Sequence, residues 1–388
     1  MVGEIQSGAR ELLMVGGMPL ADVEDVFRSL AEHVGPVLTR MPDGERMGWL
    51  TKVFQSHAQN RSLREAGVVH LNGQKPMAVP TFCLCDGASA DALELGPYGY
   101  AESARRSYQA FKRLKEAGVV PKDMRFQMTL AGPGTTVYSV KGDPEQLLPR
   151  AAAALSREIA EIVRDIPADE LTIQLDVAME AEHEEYIRAP EAFDTPVHEQ
   201  FHWTQAQMAD AVAEVANRIP PEVELGFHIC TIWHHDPAGG QDNVVVVDTI
   251  NALVDRIRRP ITYFHIPIIP EHDKIEDYEP LRDLRLAKGT KLFLGLINLA
   301  DGLAGAKRRI ALAEQVVKDF GVSFYCGLGG PQIAKGSKSV DPREAPVTRK
   351  APLKQRKKRP EPDEAIRRVS VEEVPGVLTL FREVAELP

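Results

Sequence analysis

Cysteine is scarce in this chain. Only Cys83, Cys85, Cys230 and Cys326 occur among 388 residues. That is too few for a fold stapled by disulfides, and the spacings suit chemistry better than cross-linking. Long apolar runs are missing as well. None approaches the ~18 to 20 residues that a membrane-spanning helix needs. The N-terminal apolar run, Leu12 to Val15, is short and stands beside Glu4, Arg10 and Glu11, so it does not read as a signal peptide. Together these absences predict a reducing, cytoplasmic setting and no membrane partner. Positive charge is also short. Lys and Arg number 46 against 56 Asp and Glu, a net charge of −10, which argues against a general nucleic-acid binder. No Gly-x-Gly-x-x-Gly follows the first strand-like run, which argues against an open dinucleotide-binding sheet.

What is present is a regular alternation. Apolar residues make up 44% and charged residues 26%, enough to bury a full core. Strand-like runs fall at Glu11 to Gly17, Val37 to Met41, Arg125 to Leu130, Leu171 to Val177, Val223 to Cys230, Ile261 to Ile266, Lys291 to Ile297 and Val322 to Tyr325. Helical patterns separate most of them, for example Leu20 to His33, Ala101 to Ala117 and Glu145 to Ile166. Parallel strands need such crossovers. Eight units in one chain predict an α/β fold: a single-domain (β/α)8 TIM barrel over residues 1–388. Arg46 to Pro97 reads as a long irregular insertion after the second strand, holding a helical stretch near Trp49 to His57 and then Pro-rich connections, and Glu180 to Gln200 as a loop rich in Glu and His. Between Ala334 and Arg359 stand ten basic residues and only Asp341 and Glu344 as acids. We read a flexible basic insertion over 331–361, after the eighth strand, able to steer an anionic substrate or simply solvated.

Active sites of such barrels lie at the C-terminal ends of the strands. Asp43 and Glu45, Thr135, Asp176, His228 and Cys230, His265, Asp301 and Cys326 all fall there. Residues i and i+2 of a strand point to one side, so His228 and Cys230 can converge. Cys326, at the end of the eighth run, can join them on the same rim. Thiolate and imidazole suit zinc, and three protein ligands with one exchangeable position is the pattern of a catalytic zinc site. His265 stands at the end of the sixth run, and Asp176, Asp43, Glu45 and Asp301 offer carboxylates able to bind polar groups or relay protons. Helix capping is the competing role for these carboxylates. His234, His235 and Asp236 could reach the metal or be solvated. Cys83 and Cys85 read as packing, or as a second thiol pair.

These residues resemble a known superfamily. His228-Ile229-Cys230 and Cys326-Gly327-Leu328 are similar to the zinc-binding motifs of cobalamin-independent methionine synthase. Epoxide–coenzyme M transferases are related, and uroporphyrinogen decarboxylase shares the barrel. The likeness runs from Gly16 to about Gly330 and concerns the catalytic C-terminal barrel; the chain is too short to hold the second, N-terminal barrel as well. Ile173-Gln174-Leu175-Asp176 resembles the family's strand-four motif, whose Asp contacts the amino-acid substrate, and Gly132-Pro133-Gly134-Thr135 its third-strand turn. Pro42-Asp43-Gly44-Glu45, Tyr263-Phe264-His265-Ile266-Pro267 and Ala300-Asp301-Gly302 look more like a bacterial and fungal branch. Three departures stand out. Val15-Gly16-Gly17-Met18 lacks the Ser that helps hold the homocysteine carboxylate, Val177-Ala178 replaces Glu-Pro, and His265 stands where the family offers a Glu ligand.

The resemblance implies a zinc-dependent alkyl or methyl transferase whose nucleophile is a zinc-bound thiolate. In that reading Asp176 would orient the acceptor and His265 would be a fourth ligand or a substrate contact; the partners would be a small-molecule thiol and an alkyl donor, and an oligomer is compatible with it. The departures leave the acceptor open. A zinc-dependent lyase or hydrolase, or a barrel with a structural zinc, are the other readings.

Overall fold

The structure, a computed structural model, describes residues 8–46, 48, 50–71, 77–188, 203–230, 243–268, 272–299, 301–328 and 369–387. Its strands, in chain order, are β1 (Leu12–Leu13), β2 (Arg40–Pro42), β3 (Leu63–Leu71), β4 (Met77–Leu84), β5 (Arg125–Ala131), β6 (Val140–Lys141), β7 (Leu171–Val177), β8 (Glu224–Ile229), β9 (Tyr263–Pro267), β10 (Lys291–Ile297) and β11 (Gly321–Phe324). Eight of them form one parallel sheet in the order β1-β11-β10-β9-β8-β7-β5-β2. The last strand pairs with the first, Leu12 opposite Val322, so the sheet curls back on itself as a (β/α)8 barrel. Each of the eight predicted strand runs contributes one of these strands.

The helices are α1 (Val23–His33), α2 (Thr51–Gln59), α3 (Tyr100–Glu116), α4 (Pro133–Val137), α5 (Pro144–Asp165), α6 (Met179–Arg188), α7 (Gln205–Asn217), α8 (Asn243–Val254), α9 (Gly302–Ala313) and α10 (Val374–Ala385). Their starts are set by local chemistry. Asp22 and Asp143 accept hydrogen bonds from the second backbone N–H beyond them, and Thr204 with Gln207 forms a capping box. Their apolar sides cover the barrel: Phe27 of α1 and Phe111 of α3 meet Phe126 of β5, all fully buried. Between β9 and β10 two short 3-10 turns, Ile275–Asp277 and Glu279–Asp283, stand where a helix would complete the repeat. No helix among the described residues is long and apolar enough to cross a membrane.

Two features differ from the expectation. The segment after β2 is built rather than irregular: β3 and β4 form an antiparallel hairpin, and β6 adds a parallel third strand. The stretch after β7 opens with the α6 helix instead of a loop. The basic stretch from Ala334 to Arg359 lies outside the described residues.

The barrel interior is polar in layers. At its floor buried Arg40 pairs with Glu11 at 2.9 Å and Glu224 at 3.3 Å, and its guanidinium lies 4.9 Å from the Tyr263 ring centre. Lys291 and Thr39 also bond Glu11. Burial works against the Glu11 charge, but Arg40 and Lys291 outweigh it and hold its carboxyl below the ordinary range. One layer up, Gln127 donates to the Met14 and Val15 carbonyls at 3.0 and 3.1 Å, and Gln174 to Val15 at 2.7 Å. These side chains tie down the chain beyond the two-residue β1. Tyr263 donates to Gln174 at 2.8 Å, and Gln174 to Asp176 at 2.9 Å. A cation–ring contact from Arg40 to Tyr263, then hydrogen bonds through Gln174 to Asp176, thus join floor and mouth.

Candidate metal centre

The next layer up holds the site. Asp176, His228 and His265 are register partners on the adjacent parallel strands β7, β8 and β9. Register partners on parallel strands share a face, and the outward face here is set by Phe227 stacked on Phe264. So all three side chains point inward. One step along β8, Cys230 follows on the same side, and its N–H extends the ladder to the Val177 carbonyl at 2.9 Å. β11 ends at Phe324, which delivers Cys326 to the rim. The ligand atoms of His228, Cys230 and Cys326 all lie within 4.8 Å of one another. His228 and Cys230 are buried, and Cys326 is half-buried. Among the described residues no disulfide ties up any of the four cysteines.

Two observations bear on whether these residues suit a metal. The donor set, two sulfurs and one imidazole, is the soft set that zinc favours. His228 Nε2 is buried and has no hydrogen-bond partner among the described residues, which is costly for a nitrogen that serves no purpose there. The residues fit the group.

His265 does not join that cluster. Its Nδ1 lies 2.7 Å from Nδ1 of His228, and its Nε2 lies 3.1 Å from the Phe324 carbonyl. Both ring nitrogens are therefore engaged within the protein. Burial, with His228 alongside, pushes its pKa well below the ordinary imidazole value.

Of the four carboxylates expected at the mouth, Asp176 and Glu45 face it. Asp176 is 3% exposed, and burial, reinforced by the charge of Glu45, raises its pKa well above the usual carboxylate range. Glu45 takes a left-handed backbone, φ 56°, a strained conformation for a residue with a side chain. It lays its carboxylate over Gly16, where a Cβ would stand 2.4 Å from Glu45 Oε1. Asp43 and Glu45 line a cleft with Arg46, Tyr100, Met128 and Thr129. Yet both Asp43 oxygens are taken, one by the Glu45 N–H at 2.9 Å and one by Ser107 at 2.7 Å. Asp301 is turned away: Arg309 grips it with two bonds of 2.7 Å, and Arg308 adds a third at 3.1 Å. Thr135 donates to Glu180 at 2.6 Å, which also accepts from the Gly134 N–H at 2.8 Å, so this pair shapes the third-strand turn.

Other candidates fall away from the centre. Cys83 and Cys85 sit at the end of β4 in the added sheet, with the Cys85 thiol toward the Arg61 carbonyl at 3.7 Å. His234, His235 and Asp236 lie outside the described residues. The residues overlooked in the sequence are supporting ones: Gln174, Glu180 and Gly16. The signal for Gln174 was present, since the run Leu171 to Val177 alternates apolar and polar residues and Gln174 stands on the polar side, two residues before Asp176.

No protein-family model and no curated protein matches the chain. Solved structures do. One, from Listeria monocytogenes and assigned provisionally as a vitamin-B12-independent methionine synthase, is 17% identical, with 80% of this chain and 81% of that one covered and a TM-score of 0.49. Another is a B12-independent methionine synthase from Shewanella sp. W3-18-1 in complex with selenomethionine, 12% identical, with 94% of this chain and 85% of that one covered and a TM-score of 0.50. At that identity the likeness is one of fold. By architecture, the chain is a (β/α)8 barrel of the kind found in the Shewanella B12-independent methionine synthase.

Proposed function

We propose that the protein is a zinc-dependent enzyme that transfers a methyl or similar alkyl group to or from a small thiol. The observation that carries this reading is the convergence of His228, Cys230 and Cys326 within 4.8 Å at the barrel mouth. Zinc held there would lower the pKa of a substrate thiol and keep it nucleophilic at neutral pH, where a free thiol of pKa ~8.5 is mostly protonated. Two thiolate ligands make that centre electron-rich, which favours thiol chemistry over activation of water.

The chain's own residues do the positioning. Asp176, fixed through Oδ1 by Gln174, presents a carboxyl whose pKa burial and the charge of Glu45 raise, suited to orienting the acceptor's polar groups. Glu45 closes the other side over Gly16. In the transfer, the acceptor sulfur gives up its proton and forms the new S–C bond, while the donor's leaving group keeps the old bonding pair and takes up a proton. That the fold relative from Shewanella holds selenomethionine, a selenoether, agrees with a pocket for thiols and their alkylated products.

The test is elemental and kinetic. Purified protein should hold one zinc per chain, and the Cys230→Ser, Cys326→Ser double variant should lose it. A panel of thiols supplied with alkyl donors should show turnover that depends on the thiol. Zinc kept undiminished in the double variant sinks the site; turnover in thiol-free buffer sinks the reaction in favour of hydrolysis or a lyase step.

A further inference from the structure

On the zinc reading above, His265 acts on the site through His228. A carbonyl oxygen only accepts, so in the 3.1 Å contact with Phe324 the Nε2 of His265 carries the hydrogen. The 2.7 Å contact between the two Nδ1 atoms also needs one hydrogen. In a neutral His265 ring the proton is already spent on Nε2, so its Nδ1 accepts and His228 Nδ1–H donates. His228 Nε2 is then left with its lone pair. The opposite placement would put an N–H on His228 Nε2, which is buried with nothing to accept it among the described residues. The network therefore selects one tautomer of His228, the one able to bind a metal through Nε2.

The relay is built into the strands. β10 lies between β9 and β11, and His265 reaches across it to Phe324. Gly295 of β10 makes that reach feasible: a Cβ there would stand 3.2 Å from His265 Nε2 and 2.7 Å from Tyr325 Cα. The carbonyl at the far end belongs to the strand that delivers Cys326, two residues on. One chain of contacts thus sets the imidazole against the thiolate.

We propose that His265 is a positioning residue and not a ligand: it fixes the tautomer and ring orientation of His228 so that Nε2 meets the metal beside Cys230 and Cys326. Such outer contacts typically change metal affinity by about 10- to 100-fold when removed.

The experiment uses the full chain, loaded with zinc, and needs no turnover. X-ray absorption of the wild type should count one imidazole and two sulfurs. Competition with a chromogenic chelator should show H265L binding zinc roughly 10- to 100-fold more weakly with the same ligand count. H265Q can accept from His228 through its carbonyl and donate to Phe324 through its amide, and should stay within a few-fold of wild type. Two imidazoles in the wild type, with one lost in H265L, would make His265 a ligand and overturn the proposal; unchanged affinity in H265L would also overturn it. Should H265L not fold, nitrogen NMR of the His228 ring in zinc-loaded wild type decides, a proton on Nδ1 supporting the relay and a proton on Nε2 refuting it. Zinc bound through one imidazole without thiol-dependent turnover rejects the proposed reaction and leaves this inference standing. A wild type that binds no zinc overturns both.

Discussion

Gly16 shows how much of the mouth depends on a missing side chain. Its hydrogen faces Glu45, and a methyl group there would stand 2.4 Å from Glu45 Oε1. The atom displaced is the far end of a flexible side chain, so Gly16→Ala should cost the fold only on the order of 1 kcal/mol. Activity is the sensitive readout, because a shift of about 1 Å in a substrate-positioning group costs about a hundredfold. We expect kcat/KM in thiol alkylation to fall roughly 10- to 100-fold in Gly16→Ala while the thermal midpoint hardly moves. Glu45→Gln should match that loss without any steric change. Full activity in both variants would remove Glu45 from the site. The single-residue features were unevenly legible. His228, Cys230 and Cys326 could be placed together because strand parity and barrel topology fix which strand ends share a rim. Asp43 and Asp301 share that rim in sequence, but their oxygens go to Ser107 and Arg309, and no spacing rule foretells a partner on another element. The role of His265 was hidden for a similar reason. Its strand position puts it inside the barrel, but which neighbour each nitrogen meets depends on Gly295 leaving the path to Phe324 open.

At the scale of elements, the hairpin β3–β4 and the helix α2 meet the barrel at His57. Its Nε2 donates to the Thr136 carbonyl at 2.8 Å, and its ring packs edge-on to Phe82 of β4 and to Tyr98. Nδ1 is buried without a hydrogen-bond partner among the described residues. Burial lowers the His57 pKa from 6.5 to about 4. The consequence for stability has a definite sign. Between about 6.5 and 4 the unfolded chain takes a proton at this residue and the folded one does not, so stability falls as pH falls through that window. Such a residue accounts for roughly 3 kcal/mol across it. His57→Gln keeps a donor for Thr136 but does not titrate. Urea unfolding at a series of pH values should show its stability falling less steeply, by about 1.4 kcal/mol per pH unit in the middle of the window. Equal slopes would mean that His57 is protonated within the fold. This junction was the least legible part of the fold. Leu63 to Leu71 and Met77 to Leu84 carry glycine, charge and Pro80 without clean alternation, so periodicity misses a hairpin whose register is set largely by pairing. The buried barrel strands have the opposite character. Runs such as Leu171 to Val177 alternate apolar Leu171, Ile173, Leu175 and Val177 with polar Thr172, Gln174 and Asp176, and they stood out at once.

At the scale of the whole molecule, charge is divided unequally along the chain. The stretch from Ala334 to Arg359 carries ten basic and two acidic residues, while the chain as a whole has a net charge of −10, so the remainder carries −18. The last described residue before it, Leu328, stands two residues beyond Cys326, whose thiol lies at the barrel mouth. If the positive charge of that stretch acts near the mouth, it works on an encounter differently from the diffuse negative charge elsewhere: it raises the local concentration of an approaching anion over a distance set by the ionic strength. The screening length is about 30 Å at 0.01 M and about 3 Å at 1 M salt, so the effect belongs to low salt. Replacing Arg356, Lys357, Lys358 and Arg359 with Gln removes four of those charges without shortening the chain. With an anionic alkyl donor, kcat/KM should drop on the order of tenfold near 0.01 M salt and by less than about twofold near 1 M. With a neutral donor the same variant should match the wild type at both. Because zinc content and thermal midpoint report on the barrel and not on the encounter, both should be unchanged. A loss that persists at high salt, or appears equally with the neutral donor, would mean that these residues act by contact with the bound substrate and not through their field.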